Sequence, residues 1–391
     1  MKRRLLLCVF LSVCFQLAGQ DGVFISRAVR PYVDFLEKQE QSPVDYILSL
    51  YDRYDVVILG ERDHRDTTQY ELIREIISDP RFIENVGVVM TETGSHNRTA
   101  WVNRIIGTNY ADDGRLNAAI LELLRNMSHG SVLDKTNSYS FLKYLSRTNR
   151  SLLPEKQIKL ILLDVPFSWE GESGQSYGAY WGFYKENMPD REQIMGKNAV
   201  SALRELPRGK ALIILNSPHS YQGYENRGNR DMAAQYIFEA FPDRVANVMI
   251  NWCLLGRSDD EGRDRLIADG RWDAAFAVYD YRPLGFDLSN SPFGEDYFKD
   301  MIKPSHRIRY NDVYTGFIYY KPPQEWVSGM GIPGLISDDF RTEYLRRRSV
   351  ISGKAVTRVG KWLSDPQFEL IYPDHYRMQK QIRKHYRVKD N

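Results

Sequence analysis

Four times along this chain an apolar run stops on a polar residue. Val56-Val57-Ile58-Leu59 runs into Gly60 and Glu61, with His64 three residues further on. Gly87-Val88-Val89-Met90-Thr91 runs into Glu92. Ile158 to Leu163 runs into Asp164, and Ala211 to Leu215 into Asn216, with His219 just beyond. Short runs rich in β-branched residues, with little polar alternation, read as strands covered on both faces, as in a parallel sheet. Gly60 either bends the chain or lets another group approach the backbone. Open α/β sheets bind ligands beyond the carboxyl ends of their strands. The repetition therefore predicts that these four ends converge on one polar site.

Helical spacing fills the intervals. Val33, Leu36, Ile47, Leu48 and Tyr51 predict helix across 29–53, with Ser42-Pro43 starting a second segment. Asp66 caps a helix carrying Tyr70, Ile73, Ile76 and Ile77, which ends at Asp79-Pro80. Asn97 is placed to cap a helix through Ile106. Residues 108–150 read as helices inserted between the second and third strands. Residues 167–189 hold Phe167, Trp169, Tyr177, Tyr180, Trp181, Phe183 and Tyr184, which suits either a ligand wall or ordinary packing. Asp190 caps a helix through Leu206, and another spans Asp231–Phe241. Arg244–Asn251, Ala274–Tyr279 and Asp312–Tyr320 are further strand candidates.

The fold class is α/β: a largely parallel central sheet, helices on both faces, a helical insertion, and the site at the carboxyl ends of the strands. With 391 residues, 42% hydrophobic and 27% charged, the chain can bury a sizeable core. The net charge of +2 argues against a dedicated nucleic-acid surface. Residues 1–19 read as a signal peptide: Lys2-Arg3-Arg4, the apolar run Leu5–Leu17, then Ala18-Gly19. The run is too short to span a membrane comfortably, so the expectation is cleavage, export to the periplasm or beyond, and no stable membrane insertion. Cys8 and Cys14 fall inside that segment, which leaves Cys253 as a buried thiol without a disulfide partner. Residues 20–334 form the α/β domain, and 335–391, rich in Arg and Lys, a basic solvated helical extension.

Glu61, His64, Glu92 and His219 carry the candidate chemistry. A carboxylate orients an imidazole and stabilises its charged form, and the ring moves a proton near neutral pH. Two imidazoles and two carboxylates can equally hold a divalent metal that activates water. The residues leave both open. A Walker A loop and an H-E-x-x-H helix are absent. His96, His129, His306, His375 and His385 lack strand-end placement.

At these positions the chain resembles the erythromycin esterase-like superfamily, which also takes in ChaN-like haem and iron-uptake proteins and TIKI-type metalloproteases. Gly60-Glu61-Arg62-Asp63-His64 is similar to its G-E-x-x-H motif, and Thr91-Glu92 to its second strand end. Asp164 resembles the G-[FY]-D segment, Arg191 to Met195 the R-x-x-x-M helix start, and Asn216 to His219 the N-x-H strand end. The resemblance covers residues 56 to about 220. It implies hydrolysis of an ester, lactone or amide by Glu61, His64, Glu92 and His219. Arg191, Asp164, Asn216, Tyr221 and an offset Arg74 are then substrate-binding. It also implies a small-molecule or peptide substrate, and either no cofactor or one divalent metal held by the same four residues. Haem binding or metal-dependent proteolysis are the alternatives. The chain departs from the motif at Arg62, Asp63 and Arg65, and has an extra residue between Asn216 and His219.

Overall fold

The structure is a computed structural model, and its described residues are 23–224, 231–254, 265–299, 307–371 and 375–388. The segment read as a signal peptide lies outside them. In chain order, β1 (Val23–Ile25), α1 (Arg30–Leu36) and α2 (Pro43–Leu50) precede β2 (Val56–Glu61). Helices α3 (Thr67–Ser78) and α4 (Pro80–Asn85) lead to β3 (Val88–Ser95). The insertion then supplies α5 (Thr99–Gly107), α6 (Asp113–Asn126) and α7 (Thr136–Arg150) before β4 (Lys159–Asp164). Next come α8 (Tyr177–Asn187), α9 (Arg191–Glu205), β5 (Ala211–Asn216), α10 (Ala233–Ala240) and β6 (Val245–Ile250). The remainder comprises β7 (Cys253–Leu254), β8 (Arg265–Leu266), α11 (Arg271–Ala277), β9 (Leu284–Asp287), α12 (Tyr310–Val313) and β10 (Gly316–Tyr319). The last elements are β11 (Val327–Met330), α13 (Asp338–Ser352), β12 (Gln367–Leu370), α14 (His375–Arg383) and β13 (Tyr386–Val388).

Seven strands form the central sheet, in the order β4-β3-β5-β2-β6-β10-β9. All pair in parallel except the edge strand β9. The apolar runs fix this arrangement because both faces need cover. Val57, Leu59, Val89, Leu160, Leu212 and Ile214 pack into one core with the side chains of α2, α3 and α5 to α7. Their alternate neighbours Val56, Ile58, Val88, Met90, Ile213 and Leu215 pack against α9 and α10 on the other face. Each fully buried aliphatic side chain contributes roughly 1.5–3 kcal/mol, so a polar residue in the middle of a run would be costly. The polar residues stand at the ends instead. Because β4, β3, β5 and β2 are consecutive and parallel, their carboxyl ends lie side by side, with Glu61 opposite Asn216 and Ser95 opposite Asp164.

Local chemistry explains most boundaries. Ser42 accepts from Asp45 N–H at the start of α2, and Asp66 accepts from Thr68 and Gln69 N–H at the start of α3. Asp79 ends α3 and caps α4. Asn97 does not cap α5. Its side chain instead donates to Phe167 O at 3.0 Å and accepts from Phe167 N–H at 3.2 Å, tying the end of β3 to the loop after β4. Ala274–Tyr279 is not a strand, since Arg271–Ala277 is helix α11. Its three alanines favour helix intrinsically, and a buried helix lacks the polar stripe that would separate the two readings. Only Gly316–Tyr319 of the Asp312–Tyr320 candidate is strand, because α12 occupies the residues before it. The aromatic segment after β4 is split: Phe167, Trp169 and Tyr180 pack with Val350, whereas Tyr177, Trp181 and Tyr184 are exposed.

The basic segment from residue 335 is not a solvated helical tail. It contains β12, which zips onto β11, and β13, which pairs with β1 and joins the two ends of the described chain. Arg347 is buried, donates to Asn126 Oδ1 and Glu343 Oε1, and lies over the Trp169 ring. Partners on the segment itself and on the domain let this charge leave water.

Two glycines shape the strand ends. Gly60 does not bend the chain, since β2 continues through Glu61. A Cβ there would meet Ser220 Oγ at 3.0 Å and Val248 O at 3.4 Å, so close approach is the reason for glycine. Gly94 has φ +123°, and the β3–β4 register shifts between Thr91 and Ser95. This irregularity directly follows Glu92. Gly94→Ala should therefore lower stability by about 1–3 kcal/mol through backbone strain, read as the midpoint of chemical denaturation. An unchanged midpoint would contradict this role.

Candidate functional site

Glu61, the last residue of β2, is almost wholly buried, whereas the His64 side chain is 37% exposed. His64 Nδ1–H donates to Glu61 Oε2 at 2.7 Å, which leaves Nε2 for the side of Glu92, 3.9 Å away. The donor assignment follows because an ionised carboxylate can only accept. Burial opposes charge on the ring, but Glu61, then Glu92 and Asp63, outweigh it and lift the His64 pKa to about 9.

Glu92 is the centre of the cluster. Its carboxylate is buried and accepts from Asn216 N–H through Oε1. Its Oε2 lies 3.2 Å from His219 Nε2 and 3.4 Å from Arg191 Nη2, and Oε1 lies 3.9 Å from His64 Nε2. Burial pushes the Glu92 carboxyl up, yet His219, His64 and Arg191 together bring it below its ordinary value. Arg191, at the start of α9, is gripped by Asp164 through Nε at 2.8 Å and Nη2 at 3.1 Å. This bidentate contact fixes the plane of the guanidinium. For His219, burial is likewise opposed by Glu92 and Glu192, and the net shift is upward.

The structure thus brings together seven of the sequence candidates: Glu61, His64, Glu92, Asp164, Arg191, Asn216 and His219. Asn216 takes part through its backbone N–H. Two candidates lie elsewhere. Tyr221 is wholly buried, with its ring against Tyr224, Phe298 and Tyr314. Arg74 donates to Tyr70 O and leans over the Tyr144 ring. Two further residues join the cluster. Glu192 binds His219, and His129, from the loop after α6, feels the charges of Asp164 and Arg191. His129 packs against the Phe183 ring and has a buried Nδ1 without a hydrogen-bond partner. Glu192 was legible only as the neighbour of Arg191, and His129 had no strand-end signal at all.

The residues that depart from the resembled motif are structural. Arg62 is buried, pairs with Asp66 at 2.6 Å and lies over the Trp326 ring. Asp63 binds the guanidinium of Arg65.

Glu61, His64 and Glu92 offer ligand atoms within 4.8 Å of one another, a spacing that could hold a metal ion. The donor set fits poorly. His64 Nδ1 is committed to Glu61, and both Glu92 oxygens already have partners, one of them a guanidinium. A divalent cation would have to displace these contacts and work against the Arg191 charge. A haem would need apolar cover, but the His64 ring stands among the carboxylates of Glu61, Glu92 and Asp63.

No family model matches the chain, and no curated protein matches it. Solved structures do. A protein from Bacillus cereus is 10% identical, with a TM-score of 0.47 over 74% of this chain and 97% of that one. A mutant of the erythromycin esterase EreC in its open conformation is 9% identical, with a TM-score of 0.45 over 76% of this chain and 96% of that one. The ChaN of Campylobacter jejuni, described with cofacial haem binding, is 11% identical, with a TM-score of 0.27 over 52% of this chain and 84% of that one.

The raised imidazoles link stability to pH. A free histidine titrates near 6.5 and His64 near 9, so between these values the folded chain keeps a proton that the unfolded chain has released. This stabilisation is complete below the lower value and is lost as pH rises through the upper one. The melting temperature of the wild type should fall over that window, and His64→Gln should flatten the fall. An equally steep fall in the variant would contradict the assignment.

Proposed function

We propose that the chain is an exported hydrolase that cleaves an ester, lactone or amide bond in a small molecule or peptide, using water activated by Glu61 and His64. The observation that carries this reading is the dyad itself: a buried carboxylate, an imidazole held through Nδ1, and an Nε2 that lies 3.9 Å from Glu92, whose other oxygen faces a second histidine and an arginine. His64 Nε2, once neutral, takes a proton from water as the water adds to the carbonyl carbon. Glu61 orients the ring and stabilises the imidazolium that results. Arg191, fixed by Asp164, and protonated His219 provide positive charge on the far side of Glu92, where negative charge develops on the carbonyl oxygen. His219 then protonates the leaving group. Signal-peptide cleavage after about residue 19 would deliver this chemistry outside the cytoplasm, and no helix among the described residues is long and apolar enough to cross a membrane.

The spacing of Glu61, His64 and Glu92 favours a second reading, a metal-dependent peptidase. Metal analysis of the purified protein separates the two: activity that persists after chelation supports the metal-free route, and activity lost on chelation and restored by a stoichiometric divalent ion supports the other.

A base with a pKa near 9 is mostly protonated at pH 7. The hydrolysis rate at low substrate should therefore climb through neutral pH, reach half its plateau near pH 9 and level off above it. His64→Ala should lower the rate per folded molecule by about a hundred- to ten-thousand-fold on whichever model ester, lactone or peptide the wild type cleaves, and should lower the melting temperature at neutral pH, where the charged ring stabilises the fold. Glu61→Gln should move the inflection toward lower pH, because the largest attraction on the imidazolium is gone. An inflection that stays in place would remove Glu61 from the dyad.

A further inference from the structure

Glu192 is the second residue of α9, adjacent to Arg191, and its two carboxylate oxygens have different duties. Oε1 lies 2.5 Å from His219 Nδ1, and Oε2 accepts from Ala233 N–H at 2.8 Å. Ala233 is the first residue of α10, whose preceding residue Met232 provides no side-chain cap. The carboxylate therefore fills two vacancies at once: an orphan donor at a helix start and the inner nitrogen of a site imidazole. Each contact restrains the other, and the side chain spans two helices that pack together beneath the sheet.

We infer that Glu192 is a positioning residue that fixes the tautomer of His219, keeping the proton on Nδ1 so that Nε2 is the atom that exchanges a proton at the site. The inference rests on the hydrolase reading for its consequence, though not for its geometry. A carboxylate only accepts, so the nitrogen facing it carries hydrogen. Neutral His219 then has its lone pair on Nε2, which lies 3.3 Å from Arg191 Nη1 and can accept from it. Charged His219 donates from Nε2 to Glu92 Oε2 at 3.2 Å. The ring changes partner between Arg191 and Glu92 as Nε2 loses or gains its proton, without turning. If Nδ1 were the bare nitrogen, Nε2–H would still donate to Glu92 Oε2 at 3.2 Å, but two lone pairs would meet across the shorter 2.5 Å contact between Nδ1 and Glu192 Oε1.

Glu192→Gln inverts this logic while conserving shape. The amide has one oxygen, which Ala233 N–H claims, so its NH2 faces His219 and requires an accepting Nδ1. The neutral ring must then protonate on Nε2. The test is a pair of measurements on the full chain labelled with 15N-histidine, with the His219 signals assigned by their loss in His219→Gln. Above the titration of His219, the wild type should show the Nδ1–H tautomer and Glu192→Gln the Nε2–H tautomer. Glu192→Asp, which keeps an acceptor, should retain the wild-type tautomer. The melting temperature of Glu192→Gln should stay close to wild type, because the α10 start remains capped. On a substrate that the wild type cleaves, kcat should fall at least a hundredfold in Glu192→Gln, with partial recovery in Glu192→Asp. An unchanged tautomer in Glu192→Gln would overturn the inference whether or not any substrate has been found. A switched tautomer with unchanged kcat would overturn the link to turnover and leave the hydrolase reading to its own tests.

Discussion

An ionised carboxylate taken out of water must be solvated by something else, and at Glu92 the protein supplies every part of that solvation. One oxygen receives a backbone N–H from the next strand, Asn216, and the other faces His219 and Arg191. His64 stands beyond them. Breaking a buried ion pair by removing one partner typically costs about 3–5 kcal/mol, so none of these groups is independent of the rest. Glu92 therefore holds the charges of the site in place, and the imidazoles keep their protons partly because it is there.

The fold is arranged so that these compensating groups arrive together. Parallel pairing sets β5 between β3 and β2, which puts the Asn216 amide beside Glu92 and Glu61 one strand further along. The irregular step around Gly94 ends regular pairing just after Glu92. Helix α9 presents Arg191 and Glu192 from below, and each is tied to a second element, Asp164 on β4 and Ala233 on α10. Groups held at both ends lose little freedom when they bind or react, which is the condition for a preorganised site.

Much of this was legible in the sequence, and the reason is physical. Burial on both faces forces a parallel strand to be apolar throughout, so its first polar residue marks its end. Glu61, Glu92, Asp164 and Asn216 were visible on that ground alone, and His64 and His219 by following closely. Residues whose role depends on tertiary contact were not. Glu192 reads as an ordinary acidic residue in a helix start until α10 is seen against it. His129 reaches the cluster from an inserted loop, and nothing in its neighbours announces that. Tyr221 follows the same strand end as His219, but a phenol serves an aromatic core as well as it serves a binding wall, and here the core has it. Ala274–Tyr279 reads as a strand, although Arg271–Ala277 is helix, because alanine and aromatic residues in a buried helix carry no period. The basic terminal segment looked solvated because a charge run does not show which of its members have partners.

The central claim is that these charges form one coupled system, in which the half-buried imidazole is held in its cationic form by buried carboxylates. The most direct test is the titration of His64 by NMR, with its signals identified through His64→Gln. The account predicts a midpoint near 9, well above the ordinary 6.5 of a free ring. A midpoint at or below the free value would mean that Glu61 and Glu92 do not govern the ring, and the proposed site would lose its basis.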